Sequence, residues 1–150
     1  MSLRPAHLAE NLADVLRGRG YRLTPQRLAV IRALGRDASH PSAEEVHRRL
    51  LPDNPTLSLA TVYKTIALLK QEGLLLEIDF GAADNRYDIL RPYPHPHAVC
   101  TRCGAVSDPS DADVSELVER MTRETGYSIS SHRLDFFGLC PSCRRKAGGK

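Results

Sequence analysis

The chain has 150 residues, 21 Lys+Arg against 18 Asp+Glu, a formal charge of +3, and is 41% hydrophobic and 26% charged. That length carries one ordinary domain or two small ones, and the composition is that of a folded globular chain and not of a disordered one. No apolar run approaches the roughly 20 residues of a membrane span, and Arg4, His7, Glu10 and Asp14 interrupt the apolar residues at the N-terminus, so neither a membrane protein nor a secretory leader is expected. A cytoplasmic location follows as the expectation. In that reducing compartment four cysteines read as metal ligands before they read as disulfides. The positive charge is concentrated early: residues 1–73 hold 11 basic and 7 acidic side chains. Such an excess permits nucleic-acid contact without requiring it.

In chain order, Leu8, Leu12, Val15 and Leu16 fall on one helical stripe that stops at Gly18 and Gly20. Thr24-Pro25 supplies an N-cap and a proline at the first helical position, opening a helix through Leu28, Ile31 and Leu34 to Gly35. Ser42-Ala43-Glu44-Glu45 reads as a capping box ahead of a short helix through Val46 and Leu50. Ser58 caps a fourth helix with Val62, Ile66 and Leu69 inward, ended by Gly73. Leu74–Phe80 and Arg86–Leu90 follow as strands around the turn at residues 81–85, a hairpin. Helices, a capped helix after a short connection, then a hairpin: this is the order of a winged helix-turn-helix. Leu59–Glu72 would enter the major groove of double-stranded DNA by its N-terminal end. Ala60, Thr61, Tyr63, Lys64 and Lys70 face outward there, offering methyls to thymine, a ring to a base edge and ammonium groups to phosphate. An ordinary solvated helix face fits the same pattern.

Residues 91–96, Arg-Pro-Tyr-Pro-His-Pro, carry proline at every second position and cannot be helical. The expected organisation is therefore a DNA-binding domain over 1–91, a hinge over 92–96, a second domain over 97–143 and a frayed basic tail over 144–150. In the second domain His97–Cys100 and Ala105–Asp108 read as strands, Val114, Leu117, Val118 and Met121 as a helical stripe, and Tyr127–Leu139 as one or two extended segments. A small α/β domain with open sheet edges results, suited to forming a homodimer.

Cys100-Thr101-Arg102-Cys103 and Cys140-Pro141-Ser142-Cys143 are two CxxC pairs with 36 residues between them. Each turn puts two thiolates on one side of a knuckle, and two knuckles close a tetrahedral four-sulfur site, for which Zn²⁺ is the best fit and a structural role the expectation. A redox dithiol needs only one pair; an iron–sulfur cluster is the other four-cysteine solution. His95 and His97, two apart in extended chain, point to one face directly upstream of the first knuckle. Asp88 and Asp108 are the candidate carboxylates close in sequence, and His40, just before the Ser42 cap, could be brought in from the DNA-binding half, whereas His7 and His47 have no partner pattern and read as solvated.

The sequence resembles the Fur family of bacterial metal-dependent repressors from about Tyr21 to Cys143. The resemblance is carried by Arg22-Leu23-Thr24-Pro25-Gln26-Arg27, His40-Pro41-Ser42-Ala43-Glu44-Glu45, Leu59-Ala60-Thr61-Val62-Tyr63-Lys64, Arg86-Tyr87-Asp88, the run from His95 to Gly104, and His132-Arg133-Leu134-Asp135. It implies a winged-helix domain followed by a dimerisation domain, with Arg22 on the DNA-binding side. It also implies a regulatory Fe²⁺ or Mn²⁺ site made of His40, Asp88, His95, His97 and Asp108. Iron-uptake members usually have Glu at the two carboxylate positions and peroxide-sensing, PerR-type members have Asp; this chain has Asp at both, and lacks the extra sensory cysteine of zinc-uptake members. His132 matches a ligand of an accessory site in some members, but Pro96 stands where that site usually has Asp. The implied mechanism is a metal corepressor whose iron form meets peroxide and is switched off by oxidation of His40 or His95. Two other readings stay open: an iron- or manganese-uptake repressor of the same family, and, from a different class, a zinc hydrolase built on the histidine pair.

Overall fold

In the computed structural model, which describes residues 5–79 and 84–148, the chain divides into the units Met1–Tyr93 and Pro94–Lys150. The first runs α1 (Pro5–Gly18), α2 (Pro25–Gly35), α3 (Ala43–Leu50), α4 (Leu59–Gln71), β1 (Leu76–Ile78) and β2 (Arg86–Asp88). Local chemistry sets the helix starts. The Thr24 hydroxyl accepts from the Arg27 amide, and the Ser58 hydroxyl from the Thr61 amide. At α3 the box is reciprocal: Ser42 Oγ accepts from the Glu45 amide at 3.2 Å while Glu45 Oε2 accepts from the Ser42 amide at 2.9 Å.

The strands are shorter than the sequence pattern suggests. They pair antiparallel with Leu76 opposite Asp88 and Ile78 opposite Arg86. The turn residues 81–83, and Phe80 at the predicted strand end, lie outside the described residues. Val15, placed by its spacing on the inward stripe of α1, is instead 40% exposed, and Ala9 and Ala13 join Leu12 and Leu16 in the buried face. A stripe two residues wide at 3.6-residue periodicity cannot hold both Val15 and Ala13 inward. The core gathers Leu12, Leu16, Ile31, Leu34, Val46, Val62, Ile66 and Leu69 with Leu75, Tyr87 and Ile89 from the hairpin region. Burial pushes the Tyr87 phenol up to about 12. Leu69 is fully enclosed. Leu69→Ala is expected to cost about 2–5 kcal/mol by cavity formation, read as a lowered urea midpoint.

The second unit runs β3 (His97–Cys100), β4 (Val106–Ser107), α5 (Ser115–Thr125), β5 (Asp135–Gly138) and α6 (Pro141–Gly148). Its sheet has the order β4-β3-β5, antiparallel between β3 and β4 and parallel between β3 and β5. Two expectations change. Within Tyr127–Leu139 the regular strand is confined to Asp135–Gly138. The residues read as a frayed tail instead continue from the second knuckle as helix to Gly148, with Pro141 at the first helical position. The stripe on α5 is real but faces outward: no residue of that helix is buried, and Leu117, Met121, Tyr127, Phe136, Phe137 and Leu139 are all exposed. Gly126, left-handed at φ +72°, ends α5, its amide bonding the Thr122 carbonyl.

Candidate metal centres and nucleic-acid interface

The four cysteines converge in the second unit. Their sulfurs all lie within 4.8 Å of one another, none forms a disulfide, and Cys103 Sγ stands 3.7 Å from Cys140 Sγ. The first knuckle closes through the Gly104 amide to the Cys100 carbonyl at 2.9 Å and the Cys100 amide to the Ala105 carbonyl at 2.8 Å. Gly104 takes φ +72°, the conformation that a side chain at that corner would oppose. The knuckles are tied together by the Cys140 amide, which donates to Cys100 Sγ at 3.3 Å, and by Arg102 Nη1, which donates to the Cys143 carbonyl. Amides from Cys140, Cys103 and Arg102 hold the Cys100 thiol down at about 6, whereas burial and the neighbouring sulfurs push Cys143 up to about 12. One site thus favours a thiolate and opposes the next. All four sulfurs, as thiolates, would hold a soft divalent cation, which would resolve that conflict, and the donor set fits such an ion.

Two groups of nitrogen and oxygen donors are also assembled, one in each unit. In the first, the amide of Tyr87 on β2 donates to the Pro41 carbonyl at 3.2 Å, which sets the segment before α3 against the hairpin. Asp88 Oδ1 accepts from the amides of Leu90 and Arg91 at 2.8 and 3.1 Å, so its Oδ2 is turned to His40 Nε2 at 3.4 Å. His40 and Asp88 are both buried, and His40 holds φ +55° immediately before Pro41. A non-glycine residue held left-handed stores local strain, which persists where the surroundings fix the side chain.

In the second unit, His95 and His97 share one face of the chain entering β3. Ala98 pairs with Ser107, so the next step of that ladder sets His97 across from Asp108. Asp108 Oδ2 lies 3.3 Å from His95 Nε2 and Oδ1 lies 3.7 Å from His97 Nε2; the rings are 4.4 Å apart and tilted 50°. Both imidazoles are buried. Two imidazole nitrogens aimed at one carboxylate bring together three donors of the kind an N/O metal site uses. His132 belongs to no group of three or more metal donors among the described residues. His47 is not solvated: its Nε2 is 2.8 Å from the Leu57 carbonyl. His7 is exposed, as expected.

On the helix predicted to read DNA, Ala60, Tyr63, Lys64 and Lys70 are exposed and Thr61 half-buried. Arg22 is exposed ahead of α2, its carbonyl accepting from Arg27. Three outward side chains are engaged within the unit, which the sequence did not indicate. The Tyr63 hydroxyl donates to Glu44 of α3, Lys70 pairs with Glu77 of β1, and Thr61 Oγ1 shares a 2.9 Å hydrogen bond with Ser58. The bond from Tyr63 holds the Glu44 carboxyl below its ordinary range, and Lys70 does the same for Glu77. Sequence reasoning also missed Asp135, brought beside His97 by the parallel register of β3 and β5. Spacing along the chain carries no signal for a partner contributed by a parallel strand.

The profile described as "Ferric uptake regulator family" matches residues 18–137. The peroxide operon regulator of Bacillus subtilis (strain 168) is 33% identical over 141 residues, covering 94% of this chain and 97% of that protein. Among solved structures, the Campylobacter jejuni peroxide stress regulator superposes with a TM-score of 0.69 at 33% identity, over 88% of this chain and 98% of that one. The Helicobacter pylori ferric uptake regulator, described as having three functional metal-binding sites, shares the fold with a TM-score of 0.78 at 22% identity over 95% of both chains.

Proposed function

The chain belongs to the Ferric uptake regulator family, whose members are transcriptional regulators and not enzymes, and from that premise we propose that it is a DNA-binding repressor that senses peroxide. The observation that carries the peroxide reading is the presence of aspartate, not glutamate, at both carboxylate positions, Asp88 and Asp108, in a chain similar to peroxide regulators. In this reading Cys100, Cys103, Cys140 and Cys143 hold a structural Zn²⁺. His40, Asp88, His95, His97 and Asp108 hold one regulatory Fe²⁺ or Mn²⁺, supported by the pairing of His40 with Asp88 and of both other histidines with Asp108. Bound Fe²⁺ would activate peroxide; in the net step one peroxide oxygen is added to the imidazole of His40 or His95, which gives up two electrons, and the other oxygen leaves as water. The residues themselves do the rest. Imidazole and carboxylate donors bind only in their deprotonated forms, and loss of one imidazole removes a fifth of the donor set, so the metal leaves and operator affinity falls.

Homodimers are expected through the exposed edge strand β5 and the outward apolar face of α5, which a second copy would cover. Two α4 helices would then meet operator half-sites about one helical turn apart. No helix among the described residues is long and apolar enough to cross a membrane. The proposal is tested by operator binding after a peroxide pulse, comparing protein loaded with Fe²⁺ and with Mn²⁺. The Fe²⁺ form should lose binding and carry an oxidised histidine, and the Mn²⁺ form should keep it. Equal protection by both metals favours the metal-uptake repressor instead.

Tyr63→Ala is expected to cost roughly 1–3 kcal/mol on operator DNA and little on generic duplex, while Lys64→Ala should weaken both alike. Fluorescence anisotropy on the two DNAs reads the difference; equal losses for Tyr63→Ala would remove that ring from the reading surface. The same titrations with and without Mn²⁺ separate a regulator from a zinc hydrolase.

A further inference from the structure

Asp135 opens β5 directly opposite His97 in the parallel ladder, and the His97 amide donates to the Leu134 carbonyl at 3.0 Å. Residues paired in this way project to the same face of the sheet. The Asp135 carboxylate is accordingly close to the imidazole: Oδ1 lies 3.5 Å from His97 Nδ1, at the edge of hydrogen-bond reach. That oxygen is buried and has no hydrogen-bond partner among the described residues. The other oxygen accepts from Arg133 Nε at 2.5 Å, which fixes the carboxylate while leaving Oδ1 toward the ring. On the far side of the same imidazole, Nε2 faces Asp108.

We infer that Asp135 is a positioning residue that holds the Nδ1–H of His97 and so reserves Nε2 as the metal-binding atom, an inference resting on the reading that His97 is a ligand of the regulatory metal. An unconstrained neutral imidazole spends much of its time with the proton on Nε2, where it cannot coordinate. A carboxylate anchored at Nδ1 removes that competition and locks ring rotation before the ion arrives. It also raises the basicity of the coordinating nitrogen. Asp88 and Asp108 touch the donor nitrogens themselves. Asp135 instead acts from behind, through the ring.

The test has two independent readouts. In the zinc-bound, Mn²⁺-free protein at about pH 8, where imidazole is neutral, long-range ¹⁵N–¹H correlation spectra report which nitrogen of His97 carries the proton. Wild type should show Nδ1–H. Asp135→Asn, matched in size, should admit the Nε2–H form and lower Mn²⁺ affinity roughly 10–100-fold with zinc content unchanged. Arg133→Ala, which leaves the carboxylate, should preserve the tautomer. An Nε2–H signal in wild type overturns the inference without any variant. So does an unchanged tautomer, or unchanged Mn²⁺ affinity, in Asp135→Asn. Wild-type Mn²⁺ affinity in His97→Ala overturns the underlying ligand assignment, and the inference with it, whatever the tautomer.

Discussion

Cys143→Ser is expected to empty the four-sulfur site and to abolish dimers together. Zinc content should fall from about one ion per chain to a small fraction, because a site with three thiolates loses both affinity and its closed geometry. The structural reason is specific. The Cys143 thiol is buried among the other three sulfurs, and α6 begins inside the second knuckle. The first knuckle is meanwhile continuous with β3, the central strand, whose Cys100 pairs with Gly138 of β5. Without the ion, the ends of β3, β5 and α6 are held by a few hydrogen bonds, such as that from Thr101 to the Gly138 carbonyl. Atomic absorption and sedimentation measure the two losses. A zinc-free, folded and dimeric Cys143→Ser protein would falsify the structural role.

Asp108→Glu is the second large effect, and it separates binding from sensing. Asp108 spans both imidazoles of the second unit from one carboxylate, at 3.3 and 3.7 Å. The added methylene of Glu keeps a carboxylate in reach but changes its approach to the two Nε2 atoms. Mn²⁺-dependent operator binding should survive. Oxidation of His40 or His95 in the Fe²⁺ protein should slow by about tenfold or more, the scale on which changes around metal ligands act. Intact-mass spectra taken through a peroxide time course follow the added oxygen. Oxidation at the wild-type rate would detach peroxide sensing from the identity of this carboxylate.

Most of the architecture was legible because it is written in local chemistry. Thr24, Ser42 and Ser58 cap the helices their positions predict, and the CxxC turns bring all four sulfurs together. What the sequence concealed is what depends on long-range register or on competing partners. Val15 fits a helical stripe as well as Ala13 does, and only packing against α2 decides between them. Asp135 meets His97 because β5 lies parallel to β3, a pairing reached through α5 and invisible to spacing rules. The carboxylates of Glu44 and Glu77 that engage Tyr63 and Lys70 come from neighbouring elements for the same reason. Of the candidate sites, the thiols were readable from spacing, the histidine pair from its i, i+2 placement, and the company each donor keeps only from the fold.

The outward face of α5 has a consequence for how much of this protein is folded in a cell. Leu117 and Met121 lie on the surface of the single chain, and Phe136 and Phe137 on the edge strand beside them in sequence order are more exposed still. If a second copy covers them, their burial contributes to the folded state only when two chains meet. The stability of residues 94–150 then depends on copy number by mass action. Dilution toward the dissociation constant should lower the melting temperature and expose the chain to proteolysis. A newly made repressor would therefore gain persistence as its own concentration rises, and scarce chains would be cleared before they could occupy an operator.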